Sequence, residues 1–238
     1  MSSCAFCRIA AAHHPVAPST YLHSTPNANA NSPSTPTPGP GEDGHAFLIL
    51  STKHVLAFLD IMPLTRGHVL VVPRNHHEKL AEVGVRVSRE LGTWLPILSR
   101  AVMRTVFGES TDSDPSGSGS GDGNGNGTSG GTRADPSWNW NVVQNNGAGA
   151  AQVVPHVHFH IVPRPPLGQA STSAKMSFIM FGRGQREDLD DEEAEDLVRL
   201  LREEIAREVV RVKEAEDIDL DGEFRDAESG VAGGKGRL

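Results

Sequence analysis

Pro155-His156-Val157-His158-Phe159-His160-Ile161-Val162-Pro163 sets three histidines in alternation with Val157, Phe159 and Ile161. Alternation with a period of two is the pattern of a half-buried β-strand. Side chains two apart share a face, so the spacing predicts a row of imidazoles roughly 7 Å apart, with the apolar residues turned into a core. Such a row suits three chemistries: a metal site, nucleophilic catalysis by one imidazole with its neighbours supplying protons and charge, or a solvated polar strand face. On spacing alone, metal leads.

Working back from this strand, Asn145-Asn146-Gly147 marks a turn and Ala148-Gly149-Ala150-Ala151 a small-residue loop that a ligand's oxygens could approach. Trp138 to Asn145 reads as the preceding strand, and residues 109–136 are a Gly/Ser-rich linker by composition. Before that linker, Leu80, Val83, Val87, Leu91, Trp94, Leu98 and Val102 recur at three and four, the stripe of an amphipathic helix. Pro96 falls inside it and predicts a kink or two consecutive helices, and Asn75 is a candidate cap. Thr65 to Pro73 reads as a turn and a strand opened by His68, and 46–50 and 55–61 as a hairpin. Residues 24–44 are Pro, Asn, Ser and Thr with little to bury, an insertion without a core of its own.

On the other side of the histidines lie an apolar run, Met176 to Phe181, and a basic turn with Arg183 and Arg186. Asp190-Asp191-Glu192-Glu193 then opens a helix to about Val212, with Leu197, Leu200, Leu201, Ile205 and Val209 as its apolar stripe. The tail from Asp219 reads as disordered. Strands with one long central helix and one C-terminal helix, without regular β-α-β alternation, predict an α+β fold with a mostly antiparallel sheet. The organisation follows: residues 1–186 form one domain interrupted at about 24–44 and 109–136, and 187–238 are an acidic C-terminal helix and tail.

The net charge of −8 argues against a broad nucleic-acid-binding surface, and no apolar run has the length of a membrane span. The first residues lack the pattern of a signal peptide, and the only cysteines, Cys4 and Cys7, offer no disulfide framework. A reducing, intracellular location fits, cytoplasmic with the nucleus also open to it. The C-x-x-C spacing of Cys4 and Cys7 suits half of a zinc site, a redox pair or two plain thiols; no strand fits before residue 4, which disfavours the redox reading.

Asp60-Ile61, Gly67-His68-Val69-Leu70-Val71-Val72-Pro73, Gln144 to Gly147 and Gln152-x-x-x-His156-Val157-His158-Phe159-His160 together resemble the histidine triad (HIT) family. With Cys4-Ala5-Phe6-Cys7-Arg8-Ile9 added, the pattern is similar to the zinc-knuckle nucleoside phosphoramidase branch, carrying fungal-type insertions. The resemblance covers roughly residues 4–23, 45–108 and 138–164 and implies a HIT-like fold.

It also implies a mechanism. His158 is the nucleophile that attacks the α-phosphorus of a purine nucleotide, forming a covalent nucleotidyl-histidine that water hydrolyses. His160 and His68 neutralise phosphate oxygens and help protonate the leaving group; Asn145 and Gln152 contact phosphate or leaving-group oxygens. Asp60 takes the ribose hydroxyls, and Ile9, Phe6, Phe58 and Ile61 line the base pocket, although ordinary core is an equal reading of Phe58. Cys4, Cys7, His76 and His156 hold a structural zinc, with His77 a rival for His76, and no magnesium is required. The implied activity is an adenosine 5'-monophosphoramidase; a dinucleoside polyphosphate hydrolase and a non-catalytic nucleotide-binding scaffold are the alternatives. Relatives form homodimers, and one is expected here. Val153 and Pro155 depart from the family pattern and bear on leaving-group preference.

Overall fold

A computed structural model describes residues 4–22, 42–108, 138–164 and 188–225. Both expected insertions fall outside these residues, apart from 42–44, as do the run from Met176 to Phe181, Arg183 and Arg186. The strands are β1 (Leu48–Ser51), β2 (Val55–Leu59), β3 (Val69–Pro73), β4 (Asn139–Gln144) and β5 (Phe159–Arg164). They form one sheet in the order β1-β2-β3-β5-β4, every pair antiparallel. With its helices this is the expected α+β class. The β1–β2 hairpin closes on Thr52, whose Oγ1 accepts from the backbone N–H of Val55 at 2.9 Å and of His54 at 3.2 Å.

Alternation along the strands divides the sheet into two buried faces. Val55, Ala57, Leu59, Val69, Val71 and Ile161 pack on helix α2 (Val85–Phe107) and helix α3 (Asp191–Glu216). Leu56, Phe58, Leu70 and Val72 turn the other way, onto helix α1 (Ala5–Ala12) with its Phe6, Ile9 and Ala10. Leu70 is the register partner of His160, so His160 stands on the α1 face.

Four expectations need correction. The histidine stretch is not one strand: β5 begins at Phe159, and His156 to His158 precede it outside the ladder. There the backbone bonds elsewhere, the Val157 N–H donating to the His77 carbonyl at 2.7 Å. Helix α2 starts at Val85, with Leu80–Glu82 a separate 3-10 turn and no helix capped by Asn75. Nor does Pro96 break it. Pro96 and the residue four before it, Gly92, both lie on the exposed face, so the orphaned Gly92 carbonyl faces water while Trp94, Ile97 and Leu98 stay buried. Finally, residues 219–225 are ordered: Gly222–Arg225 form a helical turn, and buried Asp221 accepts from the Ser19 N–H at 3.4 Å.

Helix α3 starts where its acidic cluster predicts, with Asp190 Oδ1 accepting from the Glu193 N–H at 3.0 Å. Leu197, Leu201, Ile205 and Val209 bury into the same core as the sheet, whereas Leu200 faces outward. Between α3 and α2, fully buried Glu208 meets Arg100 and Arg211 at 2.7 Å each and also pairs with Arg104.

Candidate functional site

Two clusters of titratable groups meet at the start of β5. The first joins the N-terminus to the histidine stretch. Cys4 caps α1 and Cys7 lies in its first turn, a spacing of three that puts both sulfurs on one side. Cys4 Sγ is 3.4 Å from His156 Nδ1; Cys7 Sγ is 3.4 Å from His76 Nδ1 and 3.7 Å from His156 Nδ1. All four ligand atoms lie within 4.8 Å of one another. Tetrahedral zinc with bonds of about 2.3 Å to sulfur and 2.0–2.1 Å to nitrogen separates sulfur from nitrogen by about 3.5 Å, so the residues fit the metal.

The tautomer fits as well. His156 Nε2 is 2.9 Å from the Pro73 carbonyl, which accepts its proton and leaves the Nδ1 lone pair facing the sulfurs. Burial holds the His156 pKa down at about 4, only partly offset by that bond, so the ring is neutral and ready to ligate. Between the rival histidines the geometry chooses His76; His77 contributes its carbonyl to Val157 instead.

The second cluster is a chain of imidazoles. His158 Nδ1 is 2.7 Å from the His156 carbonyl, so Nδ1 carries the proton and Nε2 keeps a lone pair. The His158 and His160 rings lie 4.9 Å apart, edge to face. His160 Nδ1 is 2.9 Å from His68 Nε2, and His68 Nδ1 receives the Leu64 N–H at 3.1 Å. Asp60 Oδ2 lies 3.4 Å from that same Nδ1. His68 is held there by Gly67, whose φ of +79° favours glycine and where a Cβ would meet Val106 Cγ2 at 2.5 Å.

The apolar candidates separate. Phe6 stands edge-on to Phe58 at 5.4 Å, His156 at 5.7 Å and His158 at 5.4 Å, which ties α1 to both clusters. Ile9 and Phe58 are buried in the α1-face core. Ile61, at 61% exposure, lines no enclosed wall. Asn145, half-buried, sits just past β4, one residue beyond Gln144, the partner of Phe159.

Gln152, expected against phosphate or leaving-group oxygens, is engaged with backbone. It is buried, its Nε2 donates to the Glu78 carbonyl at 2.8 Å and the His156 carbonyl at 3.2 Å, and its Oε1 takes the Gly147 N–H. Both amide protons are engaged with backbone, so Gln152 shapes the loop. Leu64 and Pro73 were missed because each acts through its backbone, which leaves no side-chain signal in a sequence, and His77, expected only as a rival ligand, contributes its carbonyl.

A family model described as the HIT domain matches residues 43–167. An adenosine 5'-monophosphoramidase of Schizosaccharomyces pombe is 34% identical over 117 residues, 49% of this chain and 63% of that protein. The match therefore spans less than two thirds of that relative. An uncharacterised HIT-like protein of Methanocaldococcus jannaschii is 32% identical over 146 residues, covering 61% of this chain and 84% of that one. The crystal structure of a zinc-bound histidine triad family protein from Mycobacterium smegmatis aligns with 27% identity and a TM-score of 0.43, covering 69% of this chain and 86% of that one. Because the domain match takes in more than half of its residues, this chain belongs to the HIT family.

Proposed function

We propose that this protein hydrolyses nucleotides in which AMP is linked to nitrogen, through a nucleotidyl group carried transiently on His158. The observation that carries the reading is the His158–His156 bond: with its Nδ1 proton on a carbonyl, Nε2 has the lone pair a nucleophile needs at neutral pH. The name of the S. pombe relative supports the substrate class. His158 Nε2 attacks phosphorus and the phosphorus–nitrogen bond breaks; water then displaces His158 and releases AMP. His160, whose ring lies edge to face with that of His158, protonates the departing nitrogen. Asp60 takes the ribose hydroxyls, Asn145 meets phosphate oxygens, and Phe6, Ile9, Phe58 and Ile61 border the purine.

Cys4, Cys7, His76 and His156 would hold zinc, which supplies a cross-link between α1 and the histidine stretch. With four protein ligands the metal would be a structural cross-link rather than a site for substrate. The reading carries with it a homodimer and an intracellular location, cytoplasmic and also nuclear. Among the described residues, no helix is long and apolar enough to cross a membrane.

A second reading keeps the nucleophile and changes the leaving group to a nucleotide, giving a dinucleoside polyphosphate hydrolase. It is favoured by Val153, 90% exposed in the loop between Gln152 and His156, which has no hydroxyl to offer a departing amine. Turnover of adenosine phosphoramidate and diadenosine triphosphate by the purified protein, with His158→Ala as control, decides between them. Hydrolysis of the first at least tenfold faster supports the phosphoramidase; the reverse supports the alternative, and nucleotide binding without turnover of either makes the protein a scaffold.

A further inference from the structure

Ile61 and Met62 share one peptide unit, and both of its ends are engaged. Its N–H, on Met62, donates to Asp60 Oδ1 at 2.9 Å. Its carbonyl, on Ile61, accepts from the Leu189 N–H, also at 2.9 Å. A peptide is planar and turns as one body, so a bond at one end fixes the direction of the other. The Asp60 carboxylate is thereby linked, through a single rigid unit, to the residue that leads into α3.

Leu189 is a firm anchor for such a link. Its side chain is partly buried against the main core, and Asp190 beside it caps α3. One turn into the helix, Glu193 meets Arg66 of the same 60–68 loop at 3.1 Å. Buried Glu208, paired with Arg100 and Arg104, locks α3 in turn to α2. The loop is closed at its base, where the Asp60 N–H donates to the His68 carbonyl at 2.9 Å. Between these points Ile61 and Met62 are 61% and 42% exposed. Backbone bonds, rather than side-chain packing, therefore orient the peptide between them.

We propose that the start of α3 is a positioning element for ribose recognition. Leu189 lies beyond the matched residues 43–167, and through the Ile61–Met62 peptide it turns the Asp60 carboxylate towards the two ribose hydroxyls. A carboxylate has about four acceptor positions, so the one given to Met62 leaves capacity for a diol. The proposal rests on the nucleotide reading above, which supplies the ribose. It adds that the C-terminal helix is part of the site, and that selection for a ribonucleotide depends on a residue that itself touches no substrate.

The test compares two variants of the full chain. Leu189→Pro removes the N–H, whereas Leu189→Ala keeps it and removes the side chain. Titration calorimetry gives the Kd of AMP and of 2′,3′-dideoxy-AMP, which lacks both hydroxyls. Wild type should prefer AMP, and Leu189→Pro should lose about tenfold of that preference, the scale of a hydrogen bond to a charged group. Leu189→Ala should retain it, and dideoxy-AMP should bind wild type and Leu189→Pro alike, which a general loss of structure would not give. A proline variant that keeps the full preference, or that loses both ligands equally, would overturn the proposal. If that variant does not fold, amide exchange in the wild type decides. Saturating AMP should slow exchange of the Leu189 N–H more than saturating dideoxy-AMP does, and equal protection would overturn the tie. Wild type that binds neither nucleotide would sink the nucleotide reading and this proposal with it, a result distinct from failure of the α3 tie alone.

Discussion

The sulfur of Cys4 lies 3.4 Å from Nδ1 of His156, across 152 positions of sequence. The same His156 gives its carbonyl to His158 Nδ1 at 2.7 Å. One residue therefore faces the candidate metal ligands with its ring and sets the tautomer of the nucleophile candidate with its backbone.

Purified protein should contain one zinc per chain by elemental analysis. Cys4→Ser or Cys7→Ser should reduce that occupancy at least tenfold at limiting zinc, the scale expected for loss of a thiolate ligand. Chelation should lower the melting temperature of the wild type and leave a metal-free Cys4→Ser variant unmoved. Full zinc occupancy in both variants would remove the knuckle.

The metal-free protein should be acid-sensitive. Burial holds His156 at about 4 in the folded chain against 6.5 for an ordinary histidine, and it lowers His13 in the same direction. The folded state resists protons that the unfolded state takes up, so stability is present above about 6.5 and falls as pH drops towards 4. Urea midpoints between pH 7 and 4.5 should decline by an amount corresponding to about 2–3 kcal/mol, and the decline should shrink in His156→Ala.

Mass spectrometry of protein quenched during turnover should show an adduct of one nucleoside monophosphate on His158. His158→Ala should carry none and lose at least about 1000-fold in kcat while still binding AMP. Undiminished turnover in that variant would rule out His158 as nucleophile.

Gly67→Ala should cost about 1–3 kcal/mol in chemical denaturation, because alanine is strained at positive φ and its methyl collides with Val106. Since Gly67 precedes His68, turnover should fall more than stability alone explains.

Glu208→Ala should cost about 3–5 kcal/mol, since it removes the fully buried carboxylate that Arg100, Arg104 and Arg211 share, while Glu204 still meets Arg211 at 2.6 Å. Glu203→Ala, on the exposed side of α3, should cost under about 1 kcal/mol. A similar loss at both positions would show that the buried network contributes no more than surface pairs.

Local pattern made much of this protein legible. Continuous apolar runs at 55–59 and 69–73 found two strands that the sheet buries on both faces, and the spacing of three and four through Leu91, Trp94, Leu98 and Val102 found a helix whose one-sided burial is written directly into residue order. The acidic start of α3 was readable for the same reason: Asp190 caps a turn only three residues away. Alternation failed at His156 to His158, where it persists without a ladder because Val157 bonds to His77 rather than to a neighbouring strand. Pro96 does not divide the helix in two, because its cost depends on whether the Gly92 carbonyl can reach water, which residue order does not state.

The sequence by itself determined which residue types stand in which local periods, and thereby the α+β class and the candidate imidazoles, thiols and Asp60. Only the tertiary structure decided how they are shared out: His76 rather than His77 beside Cys7, Gln152 turned into its loop, and Asp60 set against His68. These choices depend on backbone groups of Pro73, Leu64 and His77 brought in from distant segments. Every residue carries such groups, so their placement is specified by packing and leaves no mark in the alphabet of side chains.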